Sequence, residues 1–254
     1  MAKNSLILTA EALRRRSFMR QAGTLGAAGV FGSPVLSALA AEAGHVTLPF
    51  ENGERELVVY PQKRPLILLT ARPPQLETPF SVFNESVITP NDAFFVRYHW
   101  SGIPTAIDAQ TYRLKVGGNV NTPLELSLAH LKQRGDATEL VAVDQCSGNS
   151  RGHLSPRANG GQLSNGAMGN ARWTGVPLRK VLEKAGVKAG SVQVSFNGLD
   201  TPPVGDGPDF MKALNIDHAL DGEVMLTWQM NGADLPMLNG YPLRLVVSGY
   251  YGTY

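Results

Sequence analysis

The chain has 254 residues, a formal net charge of +2, and 43% hydrophobic against 17% charged residues, a composition of folded globular proteins and not of disordered ones. Lys3, Arg14, Arg15, Arg16 and Arg20 against Glu11 carry a net +4 in the first forty residues and leave −2 for the rest, so no basic face for nucleic acid is expected. A single cysteine, Cys146, excludes an intramolecular disulfide, a Cys-x-x-Cys-His haem attachment and a zinc ribbon.

Taken in order, residues 1–40 read as a targeting segment. Arg14-Arg15-Arg16-Ser17-Phe18-Met19-Arg20 is a basic start, Gln21 to Leu36 is weakly apolar, and Ser37-Ala38-Leu39-Ala40-Ala41 offers small residues for cleavage. Paired arginines before Ser-Phe-Met-Arg mark a twin-arginine signal, which exports folded, cofactor-loaded proteins, so the periplasm is the expected location. Gly23, Gly26, Gly29 and Gly32 oppose a helix there, and no membrane span is expected, since one needs about 20 strongly apolar residues.

Residues 41–88 are Pro-broken and expected to be extended, with short strands at Leu57–Tyr60 and Leu66–Leu69. Asn91 to Trp100 has the aromatic and β-branched character of a strand. Period-2 alternation then puts Phe95, Arg97 and His99 on one face and Phe94, Val96 and Tyr98 on the other. That face is either solvated or a cationic wall for an anion. Thr111–Val116 is a further strand, and Leu124–Leu131 reads as a helix start capped by Ser127.

Leu140 to Val143 reads as a short buried strand that delivers Cys146 onto a Ser-Gly-Asn-Ser turn, with Arg151 five residues on. Such a thiol is either a thiolate, able to bind metal or attack an electrophile, or a small buried hydrophobe. Ser147 to Arg172 is aperiodic and rich in Gly, Asn and Ser, and a loop of that length is expected to be functional. Pro177 opens a helix over Leu178–Ala185 that Gly186 ends. Strands are expected at Val192–Phe196, Met225–Met230 and Pro242–Val247, with a turn at Asn231-Gly232.

Five blocks in this order resemble the molybdopterin domain of the sulfite oxidase family: Phe95-Val96-Arg97-Tyr98-His99, Cys146-Ser147-Gly148-Asn149-Ser150-Arg151, Trp173-Thr174-Gly175-Val176, Asn231-Gly232 and Gly240-Tyr241-Pro242-Leu243-Arg244. The resemblance runs over residues 89–254 and is closest to bacterial periplasmic sulfite dehydrogenase catalytic subunits. It implies an α+β, mixed but β-rich fold and one Mo-molybdopterin with Cys146 as the metal's thiolate ligand. By the same resemblance Arg97, Arg151 and His99 are catalytic, and Phe95, Val96, Arg97, Tyr98, His99, Asp200, Asn239 and Arg244 hold the cofactor. Asn239 stands where some relatives have His, Ser147 where Ala is usual, and Ser248 where Pro is common.

The implied reaction is oxo transfer to sulfite, giving sulfate, with electrons passed to an external c-type cytochrome. No haem is expected in this chain. The alternatives are a molybdenum reductase of sulfoxides, a cysteine hydrolase pairing Cys146 with His99 or His153, and an inactive truncated relative. In the family a Lys-Trp segment, a substrate-site Tyr and an immunoglobulin-like dimerisation domain follow the point matching Tyr254. The chain is therefore expected to be incomplete at its C-terminus, with dimerisation, usual in full-length relatives, in doubt.

Overall fold

A computed structural model describes residues 44–133 and 137–253. The twin-arginine segment lies outside the described residues. The first five strands are β1 (His45–Leu48), β2 (Gly53–Val58), β3 (Leu66–Ala71), β4 (Pro74–Glu77) and β5 (Val96–Arg97), paired antiparallel in that order. Leu66, Leu76 and Val96 form the apolar heart of this sheet. The expected ten-residue strand around Phe95 contracts to β5, because Asn91–Ala93 is a turn and Phe94, Phe95 and Val96 are all buried in succession. Alternation resumes after Val96: Arg97 and His99 are exposed.

β6 (Arg113–Val116) and β7 (Leu124–Ser127) form a two-stranded ladder, and α1 (Leu128–Gln133) follows directly. The expected helix over Leu124–Leu131 is thus half strand. Its cap is where expected, with the Ser127 hydroxyl accepting the His130 N–H at 3.1 Å.

β8 (Thr138–Gln145) and β9 (Met168–Pro177) pair antiparallel from Thr138↔Gly175 to Gln145↔Met168. Two expectations change here. The cysteine strand is not a short buried run: Val141 and Val143 are 49% and 55% exposed, because β8 is at the sheet's edge with one face in solvent. The aperiodic segment also ends earlier, since Met168–Arg172 is β9. Gly169 and Ala171 conceal that strand from a hydrophobic pattern; a Cβ on Gly169 would lie 2.5 Å from the Phe94 ring.

α2 (Leu178–Ala185) spans the expected residues, entered through Pro177 and closed by Gly186 at φ +68°. β10 (Gln193–Asn197) pairs with β11 (Met211–Asn215), which runs into α3 (Ile216–Ala219). β12 (Val224–Met230), β13 (Ala233–Asp234) and β14 (Arg244–Val247) complete the main sheet, in which β13, β12, β9 and β8 are neighbours and β14 also pairs with β12. Asn231 and Gly232, at φ 55° and 79°, make the tight β12–β13 turn. One core lies between α1, α2 and the main sheet around Leu131, Val181, Val224 and Trp228. A second gathers Phe94, Phe95, Cys146, Trp173 and Met230. Strands far outweigh helices, as expected for this fold class, and no helix among the described residues is long and apolar enough to cross a membrane.

Two buried charged groups tie the first sheet to the second core. Glu77, at the end of β4 and 1% exposed, accepts the Ser164 N–H at 2.9 Å and the Gly166 N–H at 3.1 Å. Burial raises its carboxyl pKa, and these two amides oppose the rise. Lys63, in the β2–β3 connection, is 6% exposed and donates to the Asn91 carbonyl at 2.6 Å, the Phe94 carbonyl at 3.0 Å and the Asn239 side-chain oxygen at 2.6 Å. Three acceptors suit the three hydrogens of an ammonium, yet loss of hydration outweighs them and lowers its pKa to about 7, with Asp92 opposing and Arg244 assisting.

Removing the Glu77 carboxylate strands two buried amides, each costing about 1–3 kcal/mol. Glu77→Ala should therefore lower unfolding free energy by about 2–6 kcal/mol in urea titrations. For Lys63, the unfolded chain binds a proton between pH 7 and 10 that the folded chain has lost, so its contribution to stability grows as pH rises and is lost as pH falls toward 7. Thermal melts from about pH 7.5 to about 9.5 should show a steeper rise in wild type than in Lys63→Met, by about 1–2 kcal/mol across the window.

Candidate functional site

Cys146 follows the last paired residue of β8, and its loop is fixed by backbone bonding to the segment that returns to β9. The Cys146 N–H donates to the Ala167 carbonyl at 2.9 Å, and the Gly152 N–H to the Leu163 carbonyl at 2.8 Å. Side chains complete the lacing: Asn149 accepts the Ala167 N–H at 2.9 Å, and the Ser150 hydroxyl bonds Asn165 at 2.8 Å. Ser150 takes φ 68° to make the turn. The Gly148 N–H points at the Cys146 sulfur at 3.3 Å.

The sulfur faces a cavity of about 940 Å³, large enough for an organic cofactor. One wall is Phe95, Arg97, Tyr98 and His99; another is Asn239, Tyr241 and Arg244; Asp200 and Phe210 close the side toward β10 and β11. The structure thus brings Phe95, Arg97, Tyr98, His99, Cys146, Asp200, Asn239 and Arg244 around one space. Two candidates stand outside it. Val96 is 1% exposed and packs into the first sheet's core, as the pleat opposite Arg97 requires. Arg151 does not line the cavity. Its guanidinium lies under the glycine-rich loop, donating to the Gly161 carbonyl at 3.4 Å, and a Cβ on Gly160 would meet it at 2.6 Å.

Arg244 is held on three sides. It donates to buried Asp144 at 2.6 Å and to the Asn239 carbonyl at 3.4 Å, and its guanidinium lies 5.2 Å from the centre of the Trp173 ring. Gly240, at φ +101°, makes the turn between Asn239 and Arg244. Asn239, 4% exposed, spends its side chain on the protein: its oxygen accepts from Lys63 and its nitrogen donates to the Phe95 carbonyl at 2.9 Å.

His99 stacks on Phe210 with ring centres 4.0 Å apart, and the Lys212 ammonium sits 4.5 Å from the Phe210 centre. Burial first, then the Arg97 and Lys212 cations, lower the His99 pKa against the pull of Asp200, which keeps the ring neutral at pH 7. Burial pushes the Tyr98 phenol up to about 12, so it stays protonated. The Asn231-Gly232 turn serves the site at one remove: Asn231 accepts the Arg172 N–H at 2.8 Å and donates to the Thr89 carbonyl at 2.9 Å and to Asn91 at 2.8 Å.

Lys63, Asp144, Phe210 and Lys212 were missed by reading the sequence. Asp144, two residues before the cysteine on the same face of β8, could have been found by alternation. Phe210 and Lys212 lie where a Pro/Gly-rich stretch hides the start of β11, and no local signal marks Lys63.

Among the described residues no cluster of three or more His, Cys, Asp or Glu side chains could enclose a metal ion. A metal at Cys146 would therefore take one protein sulfur and bring its other ligands with it. The single soft donor, the size of the cavity and the cations Arg97 and Arg244 fit a metal carried by an anionic organic cofactor.

Comparison with known proteins agrees with that donor set. Residues 100–254 match the model of the oxidoreductase molybdopterin binding domain family. The chain is 36% identical to sulfite oxidase of Gallus gallus over 76% of its own length and 43% of that protein's. It is 28% identical to the NADH nitrate reductase of Spinacia oleracea over 74% of its length and 21% of that protein's. The sulfane dehydrogenase SoxCD of Paracoccus pantotrophus superposes with a TM-score of 0.61 at 26% identity, over 89% of this chain and 53% of that one. The chain thus spans less than half the length of the chicken relative. With its fold, its one-thiol cavity and these similarities, the chain belongs to the sulfite-oxidase-type members of the oxidoreductase molybdopterin binding domain family.

Proposed function

We propose that this chain is the molybdopterin-bearing part of a periplasmic sulfite dehydrogenase that converts sulfite to sulfate and hands electrons to a c-type cytochrome. The observation that carries the reading is one cavity holding the Cys146 sulfur together with the Arg97, His99 and Arg244 side chains. Molybdopterin, when bound, supplies the two-electron chemistry and the oxygen that sulfite takes up. The protein's own residues bind, orient and keep charge where it is needed. Cys146 offers its sulfur as the ligand, with the Gly148 N–H directed at it. Arg97, exposed to the cavity, presents a permanently charged fork of donors to an oxyanion. Neutral His99, fixed against Phe210, offers one donor and one acceptor. Arg244, held by Asp144, Asn239 and the Trp173 ring, would offer its remaining donors to the anionic end of a cofactor. A c-type cytochrome as external acceptor is part of the proposal, in keeping with a sequence that carries one cysteine and no Cys-x-x-Cys-His site, and the arginine-led N-terminal segment supports the periplasm.

One observation favours the second reading, reduction of sulfoxides. Arg151 is not among the residues that line the cavity, its guanidinium donating to the Gly161 carbonyl, so one of the two arginines expected to hold a small dianion is missing from the lining. The substrate of that reading is neutral, so Arg97 separates the two.

In the molybdenum-loaded protein, Cys146→Ser should abolish sulfite-dependent reduction of cytochrome c while molar ellipticity stays at the wild-type value; retained turnover would remove Cys146 from the ligand role. Arg97→Gln should raise KM for sulfite about 10–100-fold, the loss of one charged hydrogen bond. An unchanged KM together with turnover of methionine sulfoxide would favour the second reading. For export, the Arg15→Lys, Arg16→Lys double variant should leave the protein in the cytoplasmic fraction.

A further inference from the structure

The cavity's two polar walls come from distant parts of the chain, the Phe95–His99 segment after the first sheet and the Asn239–Arg244 segment before β14. Lys63 lies behind both, outside the cavity lining. Its ammonium bonds the Asn91 and Phe94 carbonyls, in the segment that leads into the first wall, and the Asn239 side chain on the second. Asn239 continues the line in both directions. Its nitrogen donates to the Phe95 carbonyl, and its own carbonyl accepts from Arg244 at 3.4 Å, which in turn bonds Asp144 at 2.6 Å. Asp144 precedes Cys146 by two residues on β8. One unbroken polar chain therefore runs from Lys63 through Asn239 and Arg244 to the strand that carries the thiol.

The energetics make the brace hard to slacken. Asn239 is 4% exposed and Lys63 6% exposed, so neither finds water in place of a lost partner. Asn239 is bonded through both side-chain atoms, which fixes its orientation as well as its place. The Asn91 end is anchored again, since its amide donates to the Met230 carbonyl at 2.8 Å and its oxygen accepts from Asn231 at 2.8 Å. A rigid point behind two walls sets the gap between them.

We propose that Lys63 is a positioning residue for this site, acting through Asn239 to fix the spacing of the Arg97 and Arg244 walls about Cys146. It touches neither the thiol nor the cavity, and its effect reaches both by way of main-chain carbonyls. The inference rests on the brace and not on the identity of the substrate.

Because Cys146 is the only cysteine, its thiol is a built-in reporter of the cavity. The test uses the full chain prepared without cofactor and a maleimide probe under native conditions, with the fold followed by circular dichroism. Lys63→Met should label on the order of tenfold faster than wild type, as local opening of the walls exposes the sulfur. The comparison variant is Leu131→Ala, which loosens the other core around α1 and α2 and reports what loss of global stability alone does. Faster labelling of Lys63→Met than of Leu131→Ala, at matched thermal midpoint, supports positioning. Equal rates overturn it and leave Lys63 a purely structural lysine. Should Lys63→Met fail to fold, Asn239→Ala decides in the same assay, because it cuts the relay and leaves Lys63 its two carbonyl acceptors; labelling at the Leu131→Ala rate would again overturn the proposal.

Discussion

The antiparallel register of β8 and β9 is the constraint on which the site depends. Eight consecutive pairs end at Gln145↔Met168, and the next residue is the cysteine. A slip of one residue would turn Asp144 and Cys146 outward and send Val143 into the cavity. What prevents the slip lies beyond the ladder. Gly169 fits under the Phe94 ring where no side chain would, and the loop after Cys146 is laced to residues 163–167 by backbone and side-chain bonds. Glu77 then fixes the far side of that lacing from another sheet. The thiol is held by local geometry that distant charged groups make single-valued.

Those distant groups carry an electrostatic cost, and its pattern is informative. Lys63, Glu77, Asp144 and Arg244 all approach or exceed the burial at which an unpaired charge becomes untenable. Each has specific partners, and the pairs differ in kind. Arg244 and Asp144 neutralise one another, whereas Lys63 and Glu77 hydrogen-bond to neutral groups: carbonyls and an amide oxygen for the lysine, amides for the glutamate. Burial accordingly moves the pKa values of the latter two toward the neutral form.

The sequence was legible where local signals and function coincide. Pro177 and Gly186 bracket α2 because helix ends have strong chemical preferences, and Cys146, Arg97, His99 and Arg244 stood out within conspicuous blocks. It was less legible where small residues build strands. Met168–Arg172 reads as loop because Gly169, Asn170 and Ala171 carry no hydrophobic period, although tertiary packing against Phe94 demands small residues there. Asn239 and Arg151 show a different limit. Arg151 lies in one of the blocks and Asn239 next to another, but which way each side chain turns is decided by neighbours outside them, Gly160 for the first and Lys63 for the second. No local pattern encodes such partners.

The same point bears on where the site's own boundary lies. The family match begins at residue 100, yet Phe95, Arg97, Tyr98 and His99 line the cavity and Lys63 and Glu77 brace it from further upstream. Arg97 is a member of the first sheet, paired with Gln75 across the β4–β5 ladder. A ladder residue has its backbone fixed on one side, and its side-chain direction follows from the pleat. The segment before residue 100 therefore builds part of the cavity, and a protein cut at that residue would keep the thiol while losing one wall of the space around it.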